Sequence, residues 1–443
     1  MAAIGQGMRN ALAAVAALVV GISTIQLANG FLGTLVSIRV ASDHFESTFA
    51  GLILAAYYAG YSLGAMTIGN VIQRIGHIRA FAALAGLVAA SVMLQPVVLS
   101  APFWVLARGL TGFGCAGLFI ATESWLNAKA PTQLRGAIFA TYMGATYATF
   151  GSGQFMLNLA DPASFELFAL AGTLFCLALV PVSITHAAVP TLPPSPRLRL
   201  GELRHVAPVA IAGCAASGLV SSMFYALMPV FAHKAGYTVD AIAALVATTI
   251  AGGFAFQVPV GWLSDRMDRR ILAGVLSIAL ALMAWLMTLH DPVAGWPAYL
   301  NAFLLGGCFS TIYPVCVAHA NDRVAPERAV AVSGQLILIS GVASCVGPII
   351  GTWLMQAAGI HAVFWCMAVV ALGFAADVAW RAATTGEPRR RPRLFTFLSE
   401  HASHQIAHVA DPREGAPLRD DENLAGQSES EVQTVVARGE PSR

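Results

Sequence analysis

Apolar residues in this chain come in long runs separated by short polar stretches. A helix needs roughly 20 apolar residues to cross a bilayer. By that measure, runs at 10–32, 48–69, 80–99, 102–126, 137–158 and 165–187 predict six spans in the first half. Runs at 207–231, 239–263, 271–289, 296–319, 331–357 and 361–382 predict six more. The polar stretch from Val189, with Pro190, Pro193, Pro194 and Pro196, reads as a linker at 189–206 between two units, 1–188 and 207–382. Beyond Ala382 the sequence turns charged and rich in Pro, Ser and Gly, so 383–443 reads as a disordered tail. Arg9 ahead of Ala11 to Gly21 has the charge order of a signal peptide, but the apolar run is long and reads as the first span.

Composition strengthens the membrane reading. The 443 residues are 57% hydrophobic and 11% charged, with a mean hydropathy of +0.69, whereas soluble domains carry about 25% charged residues. Charge then orients the spans, because Lys and Arg near span ends stay cytoplasmic. The even-numbered loops and both chain ends place Arg9, Arg74, Lys129, Arg135, Arg266, Arg328 and most other basic residues on one side, leaving Arg39 and Lys234 opposite. Both termini are therefore expected in the cytoplasm, with the chain multi-pass in the plasma (inner) membrane. The seven cysteines all fall within predicted spans without metal-type spacing, and read as packing residues. His401, His404 and His408 can share a helix face in the tail, but such a cluster reads first as solvated polar sequence.

One loop signature occurs twice, 192 residues apart: Gly69-Asn-Val-Ile-Gln73-Arg74-Ile-Gly76-His77 and Gly261-Trp-Leu-Ser-Asp265-Arg266-Met-Asp268-Arg269-Arg270. Each copy falls between the second and third span of its half. At the same offset Gly60 falls on Gly252, and a looser match joins Asn127 to Pro131 with Asn321 to Pro326. A duplicated unit of several spans is the mark of a two-halved transporter.

On these residues the chain resembles the major facilitator superfamily over about residues 10–382. The runs Arg74 to Phe81, Glu123-Ser-Trp-Leu-Asn127 and Leu157-Asn-Leu-Ala-Asp161-Pro162 resemble its YcaD-like branch more narrowly. The resemblance implies an all-α membrane protein, with twelve helices in two pseudo-symmetric six-helix bundles. It also implies that the loop acid latches a cytoplasmic gate against a helix start in the opposite half. The first copy has Gln73 in the acidic position and the second has Asp265, so an asymmetric latch is expected. In it Asp265 faces the start of the fifth span near Arg135 and Gly136, while Gln73 offers a hydrogen bond toward the eleventh. The gate residues are thus Gly69, Gln73, Arg74, Gly76, Gly261, Asp265, Arg266 and Arg269. Read without the resemblance, both loops are tight turns carrying positive charge.

A charge inside a span costs about 2.5–3.5 kcal/mol on insertion scales. Arg108 is the outstanding case, and Arg108-Gly-Leu-Thr-Gly112-Phe-Gly114 resembles the fourth-span motif associated with the superfamily's cavity. Arg108 is either a cavity or coupling residue or a side chain snorkelling to the nearby interface. Glu123, about 22 Å along the same helix, is either a transport residue or a partner of Lys129 or Arg135. Asp377 precedes Arg381 by one turn, and a local pair is expected. The resemblance makes spans one, four, seven and ten cavity-lining. Gln26 and Asn29 share a helix face there, with Tyr225 on span seven and Tyr313 and His319 on span ten. Ser221, Ser222, Ser310, Thr311, Tyr142, Tyr147, Gln154 and Gln257 are further candidates.

The function expected is transport of a small solute by alternating access, secondary active or facilitative; proton coupling is left open, with Arg108, Glu123 and His319 its candidates. An anionic or polar neutral cargo is favoured by Arg108 and by the shortage of intramembrane carboxylates. Proton-antiport efflux of drugs or metabolites, and a non-transporting sensor signalling through the tail, are the alternatives. No Walker loop, nucleophile elbow or zinc-type His-Glu-x2-His occurs, so neither an enzyme nor a cofactor or metal is expected. The expected partners are the solute, lipid and protons, with no nucleic acid, and the chain is expected to be a monomer.

Overall fold

The structure is a computed structural model, described here for residues 2–43, 45–131, 134–184, 203–204, 206–289, 295–325 and 328–384. Most of the expected linker, all but the first two residues of the expected tail, and the tail histidines lie outside the described residues. Among those described there are twelve long helical segments and no strand. In the first half these are α1 (Ala2–Ser42), α2 (Ser47–Ile75), α3 (His77–Leu94), α4 (Ala101–Lys129) and α5 (Arg135–Gly153). A 3-10 turn at Gln154–Leu159 follows α5, and α6 covers Glu166–Ile184. The second half has α7 (Pro208–Lys234), α8 (Val239–Ser264), α9 (Arg269–Met287), α10 (Trp296–Asn321), α11 (Ala329–Ala358) and α12 (Ala362–Thr384).

Eleven of these helices are long and apolar enough to cross a membrane. The exception is α5, which carries Thr141, Tyr142, Thr146, Tyr147, Thr149 and Ser152. The expected spans are recovered with shifted boundaries: the second helix runs on to Ile75 and the fifth stops at Gly153. The first helix runs on to Ser42 and the third stops at Leu94. Beyond Leu94 the chain turns, and the Trp104 indole donates back to the Gln95 carbonyl at 2.9 Å.

The two halves repeat one packing scheme. In the first, α2 packs on α4, α1 on α5 and α3 on α4; in the second, α8 packs on α10, α7 on α11 and α9 on α10. Small residues carry the tightest crossing in each half. A Cβ on Gly60 would run into the Gly109 carbonyl and one on Gly112 into that of Tyr57. In the second half Gly252 faces the Phe303 carbonyl and Gly306 that of Thr249 in the same way. Backbones in contact maximise dispersion where lipid offers no hydrophobic drive for helix association.

The halves meet along a seam of α2 with α11, α5 with α8, and α1 with α7. Named contacts run from the middle of the seam toward the end opposite the loop signatures. Ser62 lies under Gly341 in the middle, and Tyr147 packs on Phe254 with ring centroids 5.4 Å apart. Further along, Gly151 packs on Ile250 and Gly51 on Ile349 and Thr352. At the far end Ser42 Oγ and His233 Nε2 hydrogen-bond at 3.1 Å. At the signature end, Gln73, Arg74, Arg266 and Met267 are exposed, and a Cβ on Gly69 or Gly136 would meet nothing within 4 Å. Contacts between the halves thus join the middle and the far end of the seam, while these loop residues at the signature end are exposed.

Candidate functional site

Three adjoining cavities lie along the seam. Tyr225 of α7 lines all three. Its ring meets Phe150 of α5 across the seam at 6.0 Å and 68°, and Phe309 of α10 at 5.8 Å. This cross-seam aromatic pair stands between a chamber holding Arg108 and a cavity holding Glu123.

The Arg108 chamber is built from α1, α2, α4, α5 and α7. Asn29, Thr34, Ser37, Tyr57, Tyr58 and Gln154 line it. Arg108 is 5% exposed, and its guanidinium lies over the Tyr57 ring at 4.6 Å, a cation–π contact strengthened by desolvation. The snorkelling alternative does not hold, because the side chain turns inward onto α2. Tyr57 Oη in turn donates to Asn29 Oδ1 at 3.4 Å. Gln154 fixes the floor, accepting from Thr34 at 2.8 Å and donating to the Gly30 carbonyl at 2.6 Å. Its buried position follows from the close approach of α1 to α5, where Gly30 and Gly153 leave no room for a Cβ. The Arg108 Nε is buried without a hydrogen-bond partner.

The Glu123 cavity lies toward the signature end. Glu123 is 1% exposed and accepts a hydrogen bond from Tyr142 Oη of α5 at 2.9 Å. In place of the interfacial position expected for a partner of Lys129 or Arg135, the carboxylate faces the seam with Gln26, Tyr147 and Ser310. Gln26 Oε1 is buried with no donor in reach. Gln26 and Asn29 therefore share the face of α1 that spacing predicts, and each lines a different cavity. The third cavity, between α2 and α11, is lined by Tyr57, Tyr61, Ser62, Ser221, Ser340 and Ser344 among others.

Five candidates, Tyr313, His319, Ser222, Thr311 and Gln257, do not line these cavities, and Gln257 Nε2 donates to the Ser310 carbonyl at 3.4 Å. Tyr313 is buried on α10 outside the lining of the three cavities. His319 sits near the signature end of α10, where Arg323 donates to its Nδ1 at 2.9 Å. Ser222 packs under Gly347, and Thr311 bonds the Gly307 carbonyl of its own helix at 2.8 Å. Asp377 and Arg381 form the expected local pair at 2.9 Å. Sequence reading missed Phe150, Tyr57, Tyr58 and Tyr61. The signal present was three tyrosines in five positions of an apolar span, on a helix to which the one-four-seven-ten scheme gives no weight.

The two loop signatures differ in how they turn the chain and start the next helix. In the first copy Gly76 turns the chain at φ 85°, and His77 Nε2 bonds Ser124 Oγ of α4 at 2.8 Å. Gln73 and Arg74 point outward. In the second copy Asp268, at the position equivalent to Gly76, has φ −65° and caps α9 by accepting from the Arg270 N–H at 2.9 Å. A carboxylate cap thus replaces the left-handed glycine. Burial would raise the Asp268 carboxyl, but hydrogen bonds from the Arg270 side chain and backbone outweigh it and hold the group below the usual carboxylate range. Arg269, equivalent to His77, is buried and pairs with Asp265 at 3.1 Å and with Asp322 of α10 at 3.0 Å. Arg266 lies over the exposed Trp262 ring at 3.9 Å, and Gly261 is buried.

Comparison with known proteins agrees with this architecture. The Major Facilitator Superfamily profile matches residues 18–299 and 210–408. The uncharacterized MFS-type transporter YcaD of Escherichia fergusonii is 26% identical over 374 residues, covering 83% of this chain and 96% of that protein. The uncharacterized MFS-type transporter Ent638_1421 of Enterobacter sp. strain 638 is 27% identical over 363 residues, covering 80% and 92%. Among solved structures, the nucleoside transporter NupG superposes with a TM-score of 0.70 at 12% identity, covering 83% of this chain and 98% of that one. A bacterial homologue of the human lysosomal transporter Spinster, inward-facing and occupied, gives a TM-score of 0.67 at 15% identity, covering 84% and 96%. With two repeated halves, a seam lined by polar and aromatic side chains, and a profile match spanning most of its length, the chain belongs to the major facilitator superfamily as a multi-pass membrane protein.

Proposed function

We propose that this chain carries a small solute across the inner membrane by alternating access, with both termini and the loop signatures on the cytoplasmic side. The observation that carries the reading is the cavity system at the seam, bridged at the far end by Ser42 and His233. A buried guanidinium, a buried carboxylate and Gln26 Oε1 face it from one half, and Tyr225 and Ser310 from the other. Intramembrane charges placed against a cavity mark solute or ion pathways, and binding between two repeats is the arrangement that rocking transporters use. In this frame the structure is the inward-open state. In the outward-open state Asp265 closes against the start of α5 near Arg135 and Gly136, and Gln73 makes the weaker contact with α11. Glu123, capped by Tyr142, is the proposed proton site, while Arg108, Gln26, Asn29 and Tyr225 are the proposed solute contacts. Tyr313 and His319 keep only supporting parts, His319 within the signature-end charge cluster.

The test is flux under a removable lock. Ser42 and His233 touch across the far end, so Ser42→Cys with His233→Cys, bridged by a short dithiol-reactive cross-linker, holds that end shut. Proteoliposomes are screened for uptake of labelled organic solutes with and without a proton gradient. Flux that stops on cross-linking and persists in each single-cysteine variant supports alternating access. Undiminished flux in fully cross-linked protein contradicts it, and absence of flux for every solute, with a partner protein bound through the tail, supports the sensor reading instead.

A further inference from the structure

We infer that the solute is an organic monocarboxylate, with its carboxylate in the Arg108 chamber and its apolar or aromatic body laid across Phe150 and Tyr225 toward the Glu123 cavity. The inference rests on the transport reading above and adds the cargo's chemistry. Arg108 is deeply buried, yet the titratable groups that face it are Tyr57, Tyr58 and Cys115, none of them a carboxylate. No Asp or Glu among the described residues forms an ion pair with it, and its Nε is without a hydrogen-bond partner. A buried charge left in that condition is costly unless something completes it. The Tyr57 face supplies part of that compensation and leaves the in-plane N–H groups unclaimed at Nε.

The shape of the missing partner follows from the donor. A guanidinium presents parallel N–H groups that match a carboxylate bidentately. One positive charge balances one negative charge, so a phosphate dianion would leave a buried excess. Nearby amide and hydroxyl groups are largely spent on one another, Gln154 on Thr34 and Gly30, and Tyr57 on Asn29. The chamber therefore offers one strong anion contact, not the many hydrogen bonds that a sugar or a nucleoside would require.

The body of the solute is set by what adjoins the chamber. Phe150 and Tyr225 line both the Arg108 chamber and the Glu123 cavity, so a ligand that extends from the guanidinium toward Glu123 runs along the faces of this pair. Beyond the pair lie Phe119, Tyr147 and Phe309. Aromatic walls of this density favour a ring or an alkyl chain.

The experiment uses the full chain purified in detergent. Thermal unfolding is followed with acetate, benzoate, phenylacetate and octanoate, each beside its uncharged amide, since a ligand that binds only the folded state raises its melting temperature by mass action. The expected result is stabilisation by at least one ring- or chain-bearing carboxylate, none by the matched amide, and little by acetate. Arg108→Gln should weaken that binding about tenfold or more, and Arg108→Lys should retain part of it. The inference is overturned if no carboxylate stabilises the protein, if acid and amide stabilise it equally, or if Arg108→Gln binds as the parent does. If neither Arg108 variant folds, the acid-against-amide comparison on the unmodified chain decides alone. A negative result here combined with lock-sensitive flux of another solute class would remove the carboxylate and leave alternating access standing.

Discussion

The helix crossings give the sharpest test of the repeated architecture. At Gly60 a Cβ would meet the Gly109 backbone carbonyl, and at Gly252 it would meet that of Phe303. Neither obstacle is a side chain that can rotate away, so Gly60→Ala or Gly252→Ala has to part α2 from α4, or α8 from α10. Overpacking of this kind costs about 1–3 kcal/mol, and the two substitutions should cost similar amounts because the crossings are equivalent. Gly86 of α3 and Gly373 of α12 serve as controls, being exposed helix positions where a Cβ meets nothing within 4 Å. There alanine should be neutral or gain up to about 1 kcal/mol from helix propensity. The assay is thermal unfolding of detergent-purified protein, with size-exclusion chromatography to confirm a single species. Parent-like melting of Gly60→Ala and Gly252→Ala, or a loss at Gly86→Ala of the same size, would refute the close-contact reasoning.

Three further outcomes follow from the signature loops. Asp268→Ala removes the α9 cap and should cost about 0.5–2 kcal/mol, whereas Asp268→Asn, which can still cap, should cost less; both are read from melting temperature. The Asp268 carboxyl is held below its usual range, so its contribution is complete above the unfolded value of about 3.9 and disappears as pH falls through the lower folded value. Melting of the parent should thus show no Asp268-dependent change between about pH 5 and 8, and an Asp268-dependent loss only below about pH 4; a loss centred near neutrality would contradict the assignment. Arg269→Ala should destabilise more than His77→Ala, because it removes two ion pairs, to Asp322 and Asp265, while His77 gives up one hydrogen bond to Ser124. Equal losses would mean that the loops are only turns.

Much of this architecture is legible in the sequence because lipid imposes a simple rule: the backbone must satisfy itself within each span, so length and apolarity mark the helices. Even α5, where hydroxyls dilute the signal, is marked by its apolar run. The signature repeat is equally readable, but the different helix start that follows from Asp268 standing in the place of Gly76 shows only in the structure. The site is less legible because its side chains are gathered by crossings between helices distant in sequence. Nothing local to Glu123 says that Tyr142 will cap it, and nothing local to Arg108 says that it will lie on Tyr57. Phe150 reads as one more apolar residue until α5 is set against α7. His319 errs in the other direction, since a polar residue on a cavity helix also serves the helix end, where Arg323 holds it one turn away.

Spin-label distances across the seam test the central claim most directly. In a background without the seven native cysteines, one pair of labels is placed at Gln73 and Met267 on the signature end, and another at Val98 and Leu289 on the far end, all exposed positions. Double electron–electron resonance is then recorded in lipid, with and without the stabilising carboxylate. Alternating access predicts two populations whose changes oppose each other, the signature-end distance shortening as the far-end distance lengthens. Fixed single distances at both ends under every condition, or changes in the same direction, would contradict it.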